Sequence, residues 1–239
     1  MNPTAVFVNR SAGKGRGGAR ATAALHALDR AAADLGQAPP RLIATGSAGD
    51  VRTAAAALVA EGTERVVVIG GDGLAHHAVQ ALAGTDVVLG VVPVGTGNDL
   101  ATALGLPDRA EDAARTALGP DRRIDLLRAG EHWGLTVATT GFAAAVNERA
   151  EAMRRPRGSS RYSVATILEL PRLRARDLVL RIDGADGTQA EHRVRTVLVA
   201  VGNTAYFGGG MRICPDADPG DGLRSEEHTS ELQSRGLIS

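Results

Sequence analysis

The chain has 239 residues, 44% of them hydrophobic, which is enough to bury a core in one large domain or two small ones. Its 27 basic and 27 acidic residues balance, so it lacks the overall positive field of a nucleic-acid-binding protein, and we expect no nucleic-acid partner. Cys214 is the only cysteine, which excludes an internal disulfide and favours a reducing compartment, so the predicted location is the cytoplasm.

The amino-terminal segment 1–8 lacks the basic and apolar regions of a signal peptide. Apolar runs such as 65–70 are far shorter than the roughly 20 residues of a membrane-spanning helix. We therefore expect no transmembrane segment, and any contact with a membrane would be peripheral, at its inner face.

The first half of the chain alternates short, β-branched apolar runs with alanine-rich stretches. This pattern predicts an α/β fold with a Rossmann-like parallel sheet, and such sheets bind ligands at the carboxyl ends of their strands. We assign residues 1–121 to this domain. The predicted strands are 4–8, 41–44, 65–69 and 87–92, and the helices that follow them are 19–35, 48–61, 74–83 and 98–104.

Beyond a predicted helix at 109–118, strand candidates become longer and fewer helices separate them. We place a domain boundary near Arg122 and expect residues 122–223 to form an antiparallel, β-rich second domain. The predicted strands are 124–128, 133–139, 177–182 and 193–201, and the predicted helices are 143–153 and 162–170. Segment 224–239 then turns abruptly polar and resembles a translated sequencing adapter, so we predict a non-native tail and a truncated second domain.

Gly70, Gly71, Asp72 and Gly73 stand between an apolar strand and a helix predicted to begin at Leu74. Glycines let backbone amides approach a ligand, and the helix dipole attracts anionic oxygens, so this turn indicates a phosphate site. Because Asp72 would repel phosphate, it is predicted to hold a phosphate-bound Mg²⁺ or to orient or deprotonate an attacking hydroxyl. An ordinary Asp-Gly turn is the alternative interpretation.

A second glycine turn contains Gly95, Thr96 and Gly97, and it ends the next predicted strand. The following Asn98 or Asp99 is expected to cap a helix. Capping does not explain why Gly95 and Gly97 flank the hydroxyl of Thr96. That arrangement suits a second loop that closes over the same phosphate ligand.

The segment 9–18 is a third glycine-rich strand end, where Ser11 and Lys14 are candidate phosphate donors. A flexible loop is the alternative interpretation. The spacing fits neither the P-loop nor the dinucleotide-binding fingerprint. Three such turns at adjoining strand ends indicate one shared site.

Five motifs carry a resemblance to a known family: Asn9-x-Ser-Ala-Gly13, Thr45, Gly70-Gly-Asp-Gly73, Pro93-x-Gly-Thr-Gly-Asn-Asp99, and Gly208-Gly-Gly-Met211 with Pro215 and Asp221-Gly-Leu223. In these the chain resembles the bacterial type of the diacylglycerol kinase and sphingosine kinase-like lipid kinase catalytic domain. The resemblance implies a nucleotide-binding α/β domain, a β-sandwich domain, and an active site in the cleft between them. It also implies transfer of the γ-phosphate of ATP, with Mg²⁺, to the hydroxyl of a lipid such as diacylglycerol at a membrane surface. A homodimer is one assembly that the resemblance leaves open for the protein.

The resemblance also implies roles for individual residues. Asp72 would be the central, catalytic acid. Asp218, Asp221 and Leu223 fall where some bacterial members hold a structural Mg²⁺, and a polar turn is the alternative interpretation of that stretch. The residues implied to line ATP are Asn9, Ser11, Thr45, Gly70, Gly71, Asp72, Gly73, Gly95, Thr96, Gly97 and Asn98.

The chain also departs from the family pattern. Alanines at 143–145 stand where an acidic residue is usual, and the glutamate taken as the base in bacterial members has no counterpart before the predicted tail. We therefore expect this chain to be inactive or nearly so. A basic cluster, interpreted as a solvated loop or as a contact for ATP phosphates or anionic lipid head groups, comprises Arg149, Arg154, Arg155, Arg157 and Arg161.

Two other functions stay open. NAD kinase and phosphofructokinase-like kinases share the Gly-Gly-Asp-Gly turn, but the sequence at 95–99 favours the lipid kinases, because NAD kinase would show an Asn-Glu pair there. A nucleotide-binding protein without turnover is the other alternative, which the alanines at 143–145 and the missing base favour. The sequence does not identify the acceptor lipid, because an apolar pocket lining has no readable motif.

Overall fold

The computed structural model of the protein describes residues 4–8, 16–153, 160–183, 188–222 and 225–230. The chain divides into two compact units. The first unit comprises Met1–Thr136 together with Tyr206–Met211, and the second comprises Val137–Ala205 together with Arg212–Ser239. The first unit is therefore discontinuous in sequence, because the short segment Tyr206–Met211, near the carboxyl end of the chain, belongs to it.

Four parallel strands form the sheet of the first unit, and five helices accompany them. The strands are β1 (Ala5–Val8), β2 (Arg41–Ile43), β3 (Arg65–Gly70) and β4 (Val88–Pro93), and the helices are α1 (Arg16–Asp34), α2 (Ala48–Ala60), α3 (Asp72–Leu82), α4 (Asp99–Ala103) and α5 (Ala110–Leu118). The strands lie in the order β2-β1-β3-β4. The predicted α/β fold with a parallel sheet is confirmed.

Helices cover both faces of this sheet, because alternate residues of a strand point to opposite sides. On one face Val67 of β3 lies in a buried cluster with Leu28 of α1. On the other face Val66 and Val68 lie in a cluster with Leu58 of α2. Each of these side chains is at most 2% exposed, and burying one valine or leucine stabilises a fold by about 1.5–3 kcal/mol. The double coverage explains why β3 is a continuous apolar run.

The chain between α5 and the second unit differs from the prediction. It forms β5 (Leu127–Ala129), β6 (His132–Gly134) and β7 (Val137–Gly141), in place of the predicted strands 124–128 and 133–139. The second prediction was wrong because Leu135 interrupts the strand: it is buried in the core of the first unit. The β5–β6 hairpin is held on α3 by Gln80, whose Nε2 donates to the Trp133 carbonyl at 2.8 Å and whose Oε1 accepts from the Trp133 amide at 3.0 Å.

An antiparallel sheet forms the second unit, as predicted. The remaining elements are α6 (Phe142–Ala152), α7 (Ser160–Glu169), a 3-10 turn (Leu170–Arg172), β8 (Arg176–Asp183), β9 (Gln189–Gly202), β10 (Tyr206–Phe207), β11 (Met211–Arg212) and β12 (Ser225–Ser230). The strands β7, β8 and β12 all pair with β9 in antiparallel register. β12 lies within the segment 224–239 that the sequence predicts to be a non-native tail. Within the described ranges, no helix has the length and apolar character needed to cross a membrane.

Candidate functional site

The glycine turns after β3 and β4 lie directly against each other. The Val94 amide donates to the Gly70 carbonyl at 2.9 Å. A Cβ added to Gly95 would lie 2.8 Å from the Cα of Gly71 and 2.7 Å from Oδ1 of Asn98. Only a residue without a Cβ permits this approach, so Gly95 is required by the packing of the two turns.

Gly73, in the first of these two turns, lies in a different environment. It is exposed, and a Cβ added to it would meet no atom of the described residues within 4 Å. It is the second residue of α3, in the first turn, where helix amides lack intrahelical partners. Thr96 and Gly97 are exposed as well. The pair of turns after β3 and β4 therefore combines close packing at Gly95 with an exposed surface at Gly73.

Asp72 is the first residue of α3, so this helix begins two residues before the predicted start at Leu74. Gly71 is its N-cap, and the Gly71 carbonyl accepts from the Leu74 amide at 3.0 Å. The Asp72 carboxylate caps a different helix: Oδ2 accepts from the Asp99 amide and Oδ1 from the Leu100 amide, both at 3.0 Å. Asp72 therefore fixes the start of α4 to the start of α3.

Asn98 is the N-cap residue of α4, as one of the two predicted candidates, but its side chain does not make the capping hydrogen bond. Asn98 has a left-handed backbone with φ 56° and makes no side-chain cap. Its Nδ2 donates to the Gly95 carbonyl at 3.1 Å, so the side chain folds back over its own turn. The Asn98 Oδ1 atom is buried and has no hydrogen-bond partner in the part of the chain that the structure describes. The cap is supplied instead by the carboxylate of Asp72, from 27 positions earlier in the chain.

Asp99 has a role that the sequence did not predict. It is 7% exposed, and its Oδ2 accepts from the Gly209 amide at 2.8 Å while Oδ1 accepts from the Gly210 amide at 2.6 Å. Gly209 and Gly210 have φ of 91° and 103°, which glycine adopts readily and other residues do not. A carboxylate that accepts from two amides makes charge-assisted hydrogen bonds, which are stronger than neutral ones. The only sequence signal was the run of three glycines at 208–210.

The carboxylates of Asp72 and Asp99 thus join three glycine turns within the first unit. We call these turns, 70–73, 95–97 and 208–210, the glycine-turn site. Gly97 lies between its parts, because a Cβ added there would be 3.4 Å from Asp72 Oδ2 and 3.5 Å from the Cα of Gly209.

Thr45 is half-buried and follows β2, at the carboxyl edge of the sheet. The chain after it is fixed by a capping box, in which Ser47 Oγ accepts from the Asp50 amide at 3.3 Å. The Asp50 carboxylate accepts from the amides of Gly46 at 2.9 Å and Ser47 at 2.8 Å. The hydrogen bond from Gly46, followed by those involving Ser47, lowers the pKa of the Asp50 carboxyl below its usual value.

Two predicted metal ligands, Asp218 and Asp221, lie in the second unit and are exposed. Asp218 Oδ1 accepts from the Gly220 amide at 2.9 Å, which is typical of a polar turn. No group of three or more His, Cys, Asp or Glu residues that could hold a metal occurs among the residues with described positions. The third predicted ligand, Leu223, lies outside them, and the metal site stays a prediction.

Arg149 does not lie in a solvated loop, so that part of the prediction was wrong. It belongs to α6 and forms an ion pair with Glu169, a residue that is 7% exposed. A carboxylate buried to this extent needs a charged partner, which explains the arrangement. Arg161 lies in α7. The other predicted residues that fall outside the described ranges are Asn9, Ser11, Lys14, Arg154, Arg155 and Arg157.

Comparison with protein-family models gives two matches. Residues 3–129 match the diacylglycerol kinase catalytic domain, and residues 136–225 match the YegS C-terminal NAD kinase beta sandwich-like domain. The first match contains the turns 70–73 and 95–97, and the second contains the turn 208–210.

Individual proteins and solved structures that resemble the chain include diacylglycerol kinases and a lipid kinase. A diacylglycerol kinase from Mycobacterium tuberculosis (strain CDC 1551 / Oshkosh) is 46% identical over 188 residues, which cover 76% of this chain and 60% of that relative. A YegS-like protein named as a lipid kinase, from Chromohalobacter salexigens, is 36% identical over 68% of this chain and 52% of its own length. A crystal structure of a diacylglycerol kinase from Bacillus anthracis str. Sterne has the same fold, with a TM-score of 0.70 and 21% identity over 98% of this chain and 77% of that one. The chain therefore spans 60% of the first relative and 52% of the second.

Proposed function

Because the chain belongs to the diacylglycerol kinase catalytic domain family, we propose that it transfers the γ-phosphate of ATP to the hydroxyl of a lipid, with diacylglycerol as the first acceptor to test. The observation that supports this proposal most is the glycine-turn site. There the carboxylates of Asp72 and Asp99 accept four backbone amides, and Gly73, Thr96 and Gly97 stay exposed.

A nucleotide phosphate is the ligand that suits this surface. Gly73 and Thr96 are exposed beside the first turn of α3, where the helix dipole favours an anion. Gly73 has no side chain that would keep a phosphate away from the backbone, and the Thr96 hydroxyl can donate a hydrogen bond to it. Transfer of a phosphoryl group requires mainly positioning and neutralisation of charge, and a rigid set of turns provides the positioning.

Asp72 acts in this proposal first as a positioning residue. Each of its carboxylate oxygens already accepts one backbone amide, and each oxygen has capacity for a further hydrogen bond or ligand. The remaining capacity fits Mg²⁺ or its bound water, since Mg²⁺ prefers carboxylate oxygens. When bound, Mg²⁺ would neutralise charge on the ATP phosphates.

The decisive variant is Gly73→Ala. The added methyl group meets open space, so the fold should be retained, and stability should even rise because alanine favours helices over glycine by roughly 1 kcal/mol. If phosphate binds over α3, the methyl group would obstruct it. We expect ATP affinity, measured by calorimetric titration, to fall by about tenfold or more, which corresponds to about 1.4 kcal/mol.

Gly49→Ala is the matched control. Gly49 is the second residue of α2, as Gly73 is of α3, and its added Cβ would also meet no close neighbour, the nearest atom being Ser47 Oγ at 3.8 Å. This variant should bind ATP like the parent chain. Equal affinity in parent and Gly73→Ala would show that the glycine-turn site does not bind the nucleotide.

A panel of acceptors with radiolabelled ATP then separates the candidate reactions. Any transfer should be to diacylglycerol or another lipid alcohol and not to NAD or fructose 6-phosphate, and we expect its rate to be low because the chain offers no counterpart of the glutamate base. ATP binding without transfer to any acceptor would support the alternative of a nucleotide-binding protein without turnover.

A further inference from the structure

The end of α7 and the turn after it carry large aliphatic side chains that face solvent. Ile167 is 68% exposed, Leu168 45%, Leu170 55% and Leu173 41%. We call these four residues the apolar ridge. Scattered exposed leucines are normal on a protein surface, but four within seven consecutive positions form a local apolar surface that calls for a partner.

The opposite side of the same helix is firmly packed. Ala165 is fully buried and lies in a cluster with Val146 and Ala150 of α6. Glu169 is 7% exposed and forms ion pairs with Arg149 and with Arg172, the latter at 3.7 Å. The helix is thus held in place by its inner face. Ile167 and Leu168 of the apolar ridge belong to this packed helix, and Leu170 and Leu173 continue the ridge in the 3-10 turn and just after it.

The exposed charges within this stretch of the sequence are positive, although Arg172 is paired with Glu169. From residue 166 to 176 the exposed charged side chains are those of Arg172, Arg174 and Arg176. The next residue, Asp177, stands opposite Arg195 in the antiparallel sheet. The ridge therefore combines aliphatic side chains with guanidinium groups, which is the composition of elements that lie in the interface of an anionic membrane.

We propose that the apolar ridge and its arginines dock the second unit on an anionic phospholipid bilayer. The aliphatic side chains enter the boundary between head groups and acyl chains, and the guanidinium groups contact lipid phosphates. The arginines of the same stretch complement the negative charge of lipid phosphates, so an anionic bilayer is the favoured partner. This proposal rests on the proposed function in one respect, because it names the surface through which the chain reaches a lipid acceptor.

The test is co-sedimentation of the full chain with vesicles of phosphatidylcholine alone and with added phosphatidylglycerol, in the absence of ATP. The variant Leu170→Ser/Leu173→Ser should bind the mixed vesicles at least about tenfold more weakly than the parent chain, because two apolar side chains no longer enter the bilayer. Arg174→Gln/Arg176→Gln should lose about tenfold of the preference for the anionic vesicles.

The matched control is Leu35→Ser/Leu42→Ser, in the first unit. Leu35 is 50% exposed and Leu42 41%, which are close to the values for Leu170 and Leu173, so general surface hydrophobicity changes equally. This control should bind like the parent chain, and circular dichroism should show that all variants are folded.

Equal vesicle binding by the ridge variant and the Leu35→Ser/Leu42→Ser control would overturn the proposal. So would a parent chain that ignores vesicles but sediments as a dimer which Leu170→Ser/Leu173→Ser separates, because the ridge would then join two copies of this chain. Since no ATP is present, vesicle binding without lipid phosphorylation would count against the proposed function and not against this surface.

Discussion

The sheet of the first unit and the end of α7 in the second use apolar residues in opposite ways. The first buries valines and leucines on both faces of its sheet, as Val68 and Leu58 show, whereas the second leaves Ile167 and Leu170 more than half exposed on a packed helix. In the first unit, function is proposed at the exposed residues Gly73, Thr96 and Gly97, beside turns that pack closely. In the second, it is proposed at exposed aliphatic side chains. The two proposed sites therefore differ in what they expose, which is glycine-rich backbone in one and apolar side chains in the other.

The largest test of this comparison is the pair Leu58→Ala and Leu170→Ala. Leu58 is 2% exposed, so its loss should lower the free energy of unfolding by about 2–5 kcal/mol. Leu170 is 55% exposed, and its loss should change that free energy by less than about 0.5 kcal/mol. Urea denaturation followed by circular dichroism measures both, and the fluorescence of Trp133, the only tryptophan, reports on the first unit. Equal losses of unfolding free energy in the two variants would show that Leu170 contributes to stability as a buried core residue does.

The second prediction concerns the link that Asp99 makes to the 208–210 turn. An asparagine in its place has one acceptor oxygen, so its NH₂ group would face a backbone donor. Asp99→Asn should cost about 1.5–3 kcal/mol of the free energy of unfolding and should speed hydrogen exchange at the Gly209 and Gly210 amides.

Asp86→Asn provides the control for this link. Asp86 forms an ion pair with Arg123 at 2.9 Å, but both side chains are more than 90% exposed. Its loss should cost at most about 0.5 kcal/mol. If the two variants cost the same, the buried carboxylate would contribute no more than a surface one.

The third prediction tests the contact between the first two glycine turns. Gly95→Ala places a methyl group against the backbone of Gly71 and against Asn98, and such overpacking should cost about 1–3 kcal/mol. Gly97→Ala should cost less, because its added Cβ meets Asp72 Oδ2 at 3.4 Å and Gly209 Cα at 3.5 Å, which are ordinary contact distances. Thermal unfolding followed by circular dichroism ranks the two variants.

The smallest expected effect is a pH dependence at the start of α2. Because hydrogen bonds lower the folded-state pKa of Asp50, its ionised carboxylate stabilises the fold above its unfolded-state pKa of about 3.9. This contribution is lost as the pH falls through the lower folded-state pKa. The melting temperature of Asp50→Asn should therefore differ from that of the parent at pH 7 and approach it in acid. Ser47→Ala removes only the side-chain hydrogen bond of Ser47 and leaves the larger contribution of Gly46, so its difference from the parent should change less with pH.

The sequence predicted the first unit well, because β-branched runs that end in glycine mark buried parallel strands, as at β3 and β4. It placed Gly70–Gly73 and Gly95–Gly97 at strand ends, where the structure brings them together. It could not predict that Asp72 caps α4 or that Asp99 reaches Gly210, since such contacts between distant positions follow from tertiary packing and leave no local pattern. For the same reason it interpreted Arg149 as part of a solvated loop or as a contact for phosphates, and did not predict its ion pair with Glu169.

The bond between Asp99 and the 208–210 turn also has a consequence for biosynthesis. Gly209 follows Asp99 by 110 positions, and much of the second unit lies between them. When only residues 1–136 have left the ribosome, the Asp99 carboxylate lacks both of these amide donors. The first unit as the structure has it is therefore complete only when residues 206–211 have also been synthesised.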